Sequence, residues 1–259
     1  MAAIPGILRK WNPGIVPGLS LWVDGQDNSS ITMANTSNIS AISDKSGLNI
    51  QLVQDVGAFQ PVVTSNVNTR QTIGFTGTHY MSTTTSFFPS LFNNTSNISQ
   101  FTVFTSRNIA TAQAITSIAD VAFTTAGSNF SLGQTTNNLR LFKNAGGPNL
   151  SALPNLSNAL IEGFLENNAN IRLHLTFKNT NATGVTTTPT LNNLSQFFIG
   201  RRPGASILNG DIGEILFYNS NAYNNTSPFN PQIEGYLAWK WGLQDSLPNN
   251  HPYRRRPPS

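Results

Sequence analysis

Short runs of alternating apolar and polar residues constrain the fold of this chain more than any other feature. In residues 171–178 the odd positions are apolar and predict a core face, whereas Arg172, His174, Thr176 and Lys178 predict a face toward water. Such alternation is typical of half-buried β-strands, because successive side chains of a strand point to opposite faces. The chain is therefore expected to form sheets with one covered face.

Similar runs recur along the chain, at residues 19–23, 71–76, 101–105, 138–142, 196–199 and 211–218. Clusters of Gly, Asn, Ser, Thr and Pro separate them, at residues 24–30, 124–128 and 144–148, and these residue types favour turns. Many short strands joined by turns predict an all-β antiparallel sandwich of the jelly-roll type. We expect a single domain over residues 11–253, with an arm at 1–10 and a basic, Pro-rich tail at 254–259.

One segment departs from the strand pattern and predicts a short helix over 231–242. Asn230 can cap it, and Pro231 occupies the first helical position, where a missing N–H is harmless. Ile233, Leu237 and Trp241 recur at helical spacing and predict an apolar stripe that packs on the sandwich. Gly242 predicts the C-terminal stop. Residues 243–253 are expected to follow as an extended strap, which we call the C-terminal strap.

Composition excludes several functional classes. The chain of 259 residues has no Cys, so it can form neither disulfides nor thiolate metal sites. No run approaches the roughly 18 apolar residues of a membrane span, and the N-terminus does not have the charge order of a secretory signal. Only 10% of the residues are charged, against about 25% in a typical domain. Neutral polar residues must therefore cover most of the surface.

Three blocks resemble the concanavalin A-like lectin/glucanase superfamily, in its laminin-G-like jelly-roll branch. The first spans residues 11–24 and is followed by Asp-Lys-Ser-Gly at 44–47. The second joins residues 197–202 to Gly-Asp-Ile-Gly-Glu at 210–214, and the third joins residues 233–243 to His-Pro-Tyr at 251–253. In the first block Ile42 stands where such domains often have a tryptophan. The resemblance implies the jelly-roll fold and domains of the kind found in phage, bacterial surface and large DNA virus proteins.

Catalytic and metal sites find little support in the pattern of residues. A glycosidase needs two facing carboxyl groups, whereas Asp211 and Glu214, three apart on a predicted strand, would point to opposite faces. Turn bonding for Asp211 and a helix-facing or sheet-edge carboxylate for Glu214 are the structural alternatives. We therefore predict no enzyme and no required cofactor. Asp24, Asp27 and Asn28 form the densest oxygen cluster, for which calcium competes with an Asx-rich turn.

Aromatic residues in loop-like surroundings are the candidates for glycan stacking. Tyr80 and Tyr223 are the two predicted binding residues. Trp22 and Trp239 could also stack on a sugar, but both lie in the structural blocks and are expected to pack. We therefore assign structural roles to Trp22, Ile233, Leu237 and Trp241.

Basic residues gather near both ends of the chain and predict assembly contacts. The residues are Arg9, Lys10, Arg254, Arg255 and Arg256, within a net charge of +4. A trio of arginines is too short for a nucleic-acid arm, and we expect it to dock on an acidic protein neighbour, with a merely solvated tail as the alternative.

The resemblance and the nearly uncharged surface lead to two hypotheses on function. The first is a non-enzymatic structural component of a virus particle, a minor capsid or surface protein made in the host cytoplasm, whose partners are other virion proteins or further copies of the chain. The second is a carbohydrate-binding adhesion module. A glycoside hydrolase is a third reading, and it has superfamily analogy alone behind it.

Overall fold

The computed structural model describes most of the chain outside the N-terminal arm and several loops. The described residues are 11–84, 86–93, 97–108, 110–120, 129–135, 138–143, 149–150, 159–166, 170–175, 180–185, 191, 193–202, 205–220 and 229–259. Arg9, Lys10 and Tyr223 lie outside the described residues, so the roles assigned to them from sequence stay predictions. The proposed domain boundaries also stay predictions.

The runs of alternating apolar and polar residues form antiparallel β-strands in the described part of the chain. The strands are β1 (Leu19–Asp24), β2 (Ile31–Met33), β3 (Ile39–Ser43), β4 (Gln51–Val53), β5 (Val62–Val67), β6 (Arg70–Thr76), β7 (Met81–Thr83), β8 (Ile98–Ser106), β9 (Gln113–Asp120), β10 (Asn129–Thr135), β11 (Asn138–Lys143), β12 (Asn149–Leu150), β13 (Ala159–Glu166), β14 (Asn170–Leu175), β15 (Thr180–Val185), β16 (Leu194–Ile199), β17 (Arg201–Arg202), β18 (Ala205–Ile207) and β19 (Asn209–Tyr218). Two α-helices, α1 (Phe87–Ser90) and α2 (Phe229–Trp241), and several short 3-10 helices complete the regular structure of the described residues.

Most of these strands form two sheets. The first follows the order β15-β14-β13-β8-β19-β6-β5, with β1 also paired to β19. The second follows the order β12-β11-β10-β9-β16-β7-β4-β3-β2, and β17 and β18 form a separate hairpin. Aliphatic and phenylalanine side chains from both sheets form one buried cluster, which includes Ile73, Ile118, Phe197, Ile212 and Phe217. The predicted all-β sandwich is confirmed.

A second apolar layer lies between α2 and the first sheet. Phe101, Leu216 and Tyr218 from β8 and β19 meet Leu237 and Trp241 of the helix, all fully buried. The predicted helix and its packing face are confirmed, although α2 begins at Phe229 rather than at position 231. Asn230 lies inside the helix and its side chain donates to Glu234 at 2.7 Å.

Gly242 ends the helix as the sequence predicts. Its φ of +68° lies in the left-handed region that glycine adopts without steric cost. The N–H of Leu243 donates to the carbonyl of Ala238 at 2.7 Å, which satisfies one carbonyl of the last turn. Leu243 and Leu247 are then buried in the helical layer, so the strap is held on the domain. Among the described residues, no helix combines the length and apolar character needed to cross a membrane.

Candidate functional site

A buried carboxylate lies at the centre of the contact between α2 and the first sheet. Glu214 accepts hydrogen bonds from Trp22 Nε1 at 2.7 Å, Trp241 Nε1 at 2.8 Å and Tyr236 Oη at 3.0 Å. Lys240 Nζ lies 2.7 Å from the same carboxylate. Burial raises the pKa of Glu214, and Lys240 counteracts that effect. Four donors surround the group, so the carboxylate joins the helix to the sheet as the helix-facing alternative expected.

Asp24 extends this cluster toward the surface. It lies opposite Glu214 in the pairing of β1 and β19 and binds both Lys240 and Lys45 at 2.7 Å. Burial opposes ionisation of Asp24, but the two lysines outweigh it and lower its pKa. Lys45 also binds Asp27 at 2.7 Å, and this contact lowers the pKa of Asp27 to about 2.

The three residues predicted for calcium have other partners in the structure. Lysine ammonium groups lie on the carboxylates of Asp24 and Asp27, and Asn28 Oδ1 accepts from Gln71 Nε2 at 2.6 Å. Asp27 also caps a short 3-10 helix through the N–H of Ser29. No group of three His, Cys, Asp or Glu residues within the described part of the chain could hold a metal ion. The geometry supports the Asx-rich turn, and calcium binding stays a prediction.

The expectation that Asp211 and Glu214 point to opposite faces is wrong. A β-bulge shifts the register of β19 between Ile212 and Glu214 and adds one residue to the strand at this point. Asp211 therefore lies on the outer face with Thr64, whose hydroxyl donates to it at 2.7 Å. Arg107 binds the same carboxylate oxygen. Asp211 and Glu214 are both 0% exposed, so a polysaccharide cannot reach either carboxyl group.

The C-terminal strap is fixed to α2 by specific contacts. His251 Nε2 lies 2.8 Å from Glu234, and Trp239 Nε1 donates to the carbonyl of Tyr253 at 2.7 Å. His174, expected to face water, instead lies against the helical layer with Nδ1 4.0 Å from Glu234. These contacts support packing roles for His251 and Trp239.

The residues with predicted structural roles are buried or half-buried, whereas two of the three tail arginines predicted to make assembly contacts are exposed. Ile233, Leu237 and Trp241 are 0% exposed, and Trp22 is half-buried with its ring beneath Lys45. Of the tail residues, Arg254 donates to the carbonyl of Leu247, and Arg255 and Arg256 are exposed. Nothing in the structure identifies a neighbour for them, so the assembly contacts stay predictions.

Tyr80 lies in an aromatic cluster on the surface, at the edge of β7. Its ring is 5.7 Å from that of Phe59 and 6.4 Å from that of Phe198. The guanidinium of Arg201 stacks 4.4 Å above Tyr80 and lies 5.8 Å from Phe198. Phe59 is 39% exposed, and the other three side chains are half-buried. We call Phe59, Tyr80, Phe198 and Arg201 the Tyr80 cluster.

The backbone holds Tyr80 in place. Its N–H donates to the carbonyl of Phe59 at 3.1 Å, and its carbonyl accepts from Gln54 Nε2 at 3.2 Å. Gln54 is itself held, since its carbonyl accepts from Gln60 Nε2 at 2.8 Å. Fixed rings are suited to stacking, because little conformational freedom is lost when a ligand binds.

A second cluster lies on the same sheet around Phe142. Arg140 and Arg202 place their guanidinium carbons 4.2 Å and 5.5 Å from the Phe142 ring. Phe142 pairs with Ser131, Ser131 with Ser117, and Ser117 with Phe198. Three strand spacings of about 4.8 Å separate Phe142 from Phe198, a distance of roughly 14 Å.

These positions share the face opposite the main core. Their strand neighbours Leu141, Ile118 and Phe197 belong to the core cluster, so Phe142, Ser117 and Phe198 point the other way. Ser117 and Ser131 bond each other at 2.8 Å and are buried. The two serines are therefore not accessible to a ligand, whereas the rings of Phe142 and Phe198 are half-buried. We call the two clusters together the arginine–aromatic face.

Sequence analysis names one residue of this face, Tyr80, as a binding residue, and that role stays a prediction. Phe59, Phe198, Phe142, Arg140 and Arg201 were not among the predicted site residues, although alternation in the strands already placed Phe198, Phe142 and Arg140 opposite the core. The convergence of Phe59 and Arg201 on Tyr80 carries no sequence signal, because the three positions are far apart in the chain.

Comparison with solved structures finds the same architecture at low sequence identity. The chain is similar to a botulinum neurotoxin type C structure, from a protein whose cell entry depends on interaction with two ganglioside molecules, with a TM-score of 0.54, 13% identity, and coverage of 78% of this chain and 48% of that one. It is also similar to Trypanosoma rangeli sialidase in complex with sialic acid, with a TM-score of 0.51, 10% identity, and coverage of 79% and 31%.

A third similar structure is domain 4 of AbnA, a GH43 extracellular arabinanase from Geobacillus stearothermophilus, in complex with arabinotriose. Its TM-score is 0.52 at 10% identity, with coverage of 77% of this chain and 91% of that domain. By contrast, the chain spans less than half the length of the neurotoxin and sialidase chains. No protein-family model and no curated protein matches the sequence. The fold is a concanavalin A-like jelly-roll β-sandwich, as the sequence resemblance implied.

Proposed function

We propose that this domain is a non-enzymatic carbohydrate-binding module whose ligand stacks on the arginine–aromatic face. The observation that carries the proposal is the Tyr80 cluster, in which three rings and one guanidinium gather at the surface. Aromatic rings bind the apolar faces of sugars, and fixed polar groups beside them orient the ligand. Three similar folds belong to proteins described with sialic acid, gangliosides or arabinotriose, which is consistent with this class of ligand.

The absence of catalysis is part of the same proposal. Hydrolysis of a glycosidic bond needs two carboxyl groups that reach the substrate. The carboxyls of Asp211 and Glu214, the pair considered from sequence, are 0% exposed and are bound by Arg107 and Lys240. Replacement of either should therefore alter stability rather than turnover, and we expect the folded domain to release no sugar from a polysaccharide panel.

A glycan array followed by calorimetry on the intact chain tests the binding proposal. We expect Tyr80→Ala to weaken binding about tenfold or more, as for an aromatic binding hot spot, and Tyr80→Phe to retain most of it. Phe87→Ala is the matched control, because Phe87 is 49% exposed and lies on α1, outside both clusters. If no glycan binds at millimolar concentration, or if Tyr80→Ala and Phe87→Ala behave alike, the proposal fails.

The virus-particle role is a separate proposal with its own test. Its support is the sequence resemblance together with a chain in which only 10% of the residues are charged, since few charges must then be desolvated when subunits pack. Mass spectrometry of purified particles should detect the chain among the virion proteins. Its absence from particles would end that role and leave glycan binding unaffected.

A further inference from the structure

We propose that the arginine–aromatic face selects acidic glycans, whose carboxylates bind Arg140 and Arg201 while their sugar rings stack on the adjacent aromatics. This inference rests on the proposed function and names its ligand class. The structural basis is the repeated pairing of a ring with a guanidinium, at 4.2 Å for Phe142 with Arg140 and at 4.4 Å for Tyr80 with Arg201.

Within the part of the chain that the structure describes, no carboxylate pairs with either Arg140 or Arg201. Arg107, by comparison, binds the carboxylate of Asp211. Because guanidinium is always protonated and presents its N–H groups as a planar fork, each free arginine is a ready site for a carboxylate.

The acidic residues with described ion pairs are engaged elsewhere. Asp24, Asp27 and Glu214 bind lysines in and beside the layer between α2 and the first sheet, and Glu234 contacts histidines at the strap. These pairs lie on elements other than β11, β16 and β17, which carry the face. An anion that approaches Arg140 and Arg201 therefore does not compete with any of these ion-paired carboxylates.

The spacing of the two pairs favours an oligosaccharide over a single sugar. Phe142 and Phe198 are roughly 14 Å apart across the sheet, so one extended chain can contact both clusters. When two contacts share one ligand, the second forms at high effective concentration. An acidic oligosaccharide should accordingly bind more tightly than the monosaccharide acid of the same kind.

A matched pair of ligands separates charge from shape. The probes are oligogalacturonate and its fully methyl-esterified form, which share one backbone and differ in carboxylate charge. Calorimetry on the intact chain should show at least tenfold tighter binding of the acid, with an advantage that shrinks as salt rises. A comparison of sialyllactose with lactose shows whether the carboxylate of sialic acid is bound as well as that of galacturonate. A sulfated oligosaccharide shows whether a sulfate group can replace the carboxylate.

Variants then assign the preference to the two arginines. We expect Arg140→Gln and Arg201→Gln each to lose most of the preference for the acid, measured as the ratio of the affinity for the acid to the affinity for the ester. Arg201→Lys should restore only part of it, because a point charge replaces the fork. Arg255→Gln is the control, since it removes the same charge from an exposed tail position. Thermal unfolding of each variant confirms that the domain is folded.

Three results would overturn the inference. Equal affinity for acid and ester, with binding still lost in Tyr80→Ala, would refute acid selection and leave the carbohydrate-binding function intact. An equal effect of Arg255→Gln and Arg201→Gln would assign the preference to overall charge. Tighter binding of a single-stranded oligonucleotide than of every acidic glycan would identify a different ligand class. Failure to bind any glycan, charged or neutral, would instead refute the proposed function itself.

Discussion

Asp24 and Glu214 lie opposite each other on paired strands, and both carboxylates bind the ammonium group of Lys240 at 2.7 Å. Two acidic side chains placed side by side would repel each other, and a lysine from the helix removes that repulsion. The pairing thus makes the position of α2 on the first sheet depend on charge as well as on apolar contact.

Glu214→Gln should destabilise the domain by about 3–5 kcal/mol, the usual cost of removing one partner from a buried ion pair. The groups around Glu214 are donors, from Trp22, Trp241, Tyr236 and Lys240. Trp22, Trp241 and Lys240 can only donate, so an amide NH₂ would find no acceptor among them except the Tyr236 hydroxyl. Urea unfolding measures the change, with exposed Asp55→Asn expected within about 0.5 kcal/mol of wild type. Equal stability of the two variants would show that the cluster is not buried as described.

Trp241→Ala should cost about 3–5 kcal/mol, as for a fully buried aromatic whose removal leaves a cavity. The side chain is 0% exposed and also donates to Glu214. Calorimetric or chemical unfolding gives the value, and Ile15→Ala, at a position 51% exposed, serves as the surface control. A loss below about 1 kcal/mol for Trp241→Ala would mean that the α2 stripe is an interaction surface instead.

Gly213→Ala should destabilise the domain by about 1–3 kcal/mol, because a core without free space cannot accept another methyl group. A Cβ on Gly213 would lie 2.9 Å from the Trp241 ring. Gly57→Ala is the matched control, since a Cβ there meets nothing within 4 Å. Thermal unfolding of both variants decides the point, and a neutral Gly213→Ala would argue against the close approach of helix and bulge.

Acid should weaken the domain partly through Asp27. Its pKa falls from an ordinary value of 3.8 to about 2 in the folded chain, mainly because Lys45 binds it. The folded state therefore holds fewer protons than the unfolded state between these values, so this contribution is complete above about pH 4 and is lost as pH falls toward 2.

The size of the acid effect is at most about 1 kcal/mol, since the ion pair is partly exposed to solvent. Free energies of unfolding measured from pH 5 to pH 2 should fall less steeply for Asp27→Asn than for wild type. Asp55→Asn, which leaves the ion pair in place, should follow the wild-type curve. Identical curves for wild type and Asp27→Asn would refute the contribution of Lys45.

Much of the architecture follows from local pattern. The alternation at 138–142 and 196–199 predicted β11 and β16, and the spacing of Ile233, Leu237 and Trp241 predicted the face that α2 buries. These features depend on the period of a strand or a helix, which neighbouring residues define. The bulge in β19 escaped the same reasoning, because the pairing partners of a strand decide where an extra residue is accommodated.

The sequence by itself determined the class of fold, the strand faces, the helix and its glycine stop, because each depends on residues that are close in the chain. Tertiary structure decided which charges meet. Lys240 binds Glu214 and also Asp24, which lies more than two hundred residues earlier in the chain, and Phe59, Tyr80 and Arg201 converge on one surface. Such contacts depend on the order of strands in a sheet, which local periodicity does not encode. The buried cluster and the arginine–aromatic face are therefore properties of the fold.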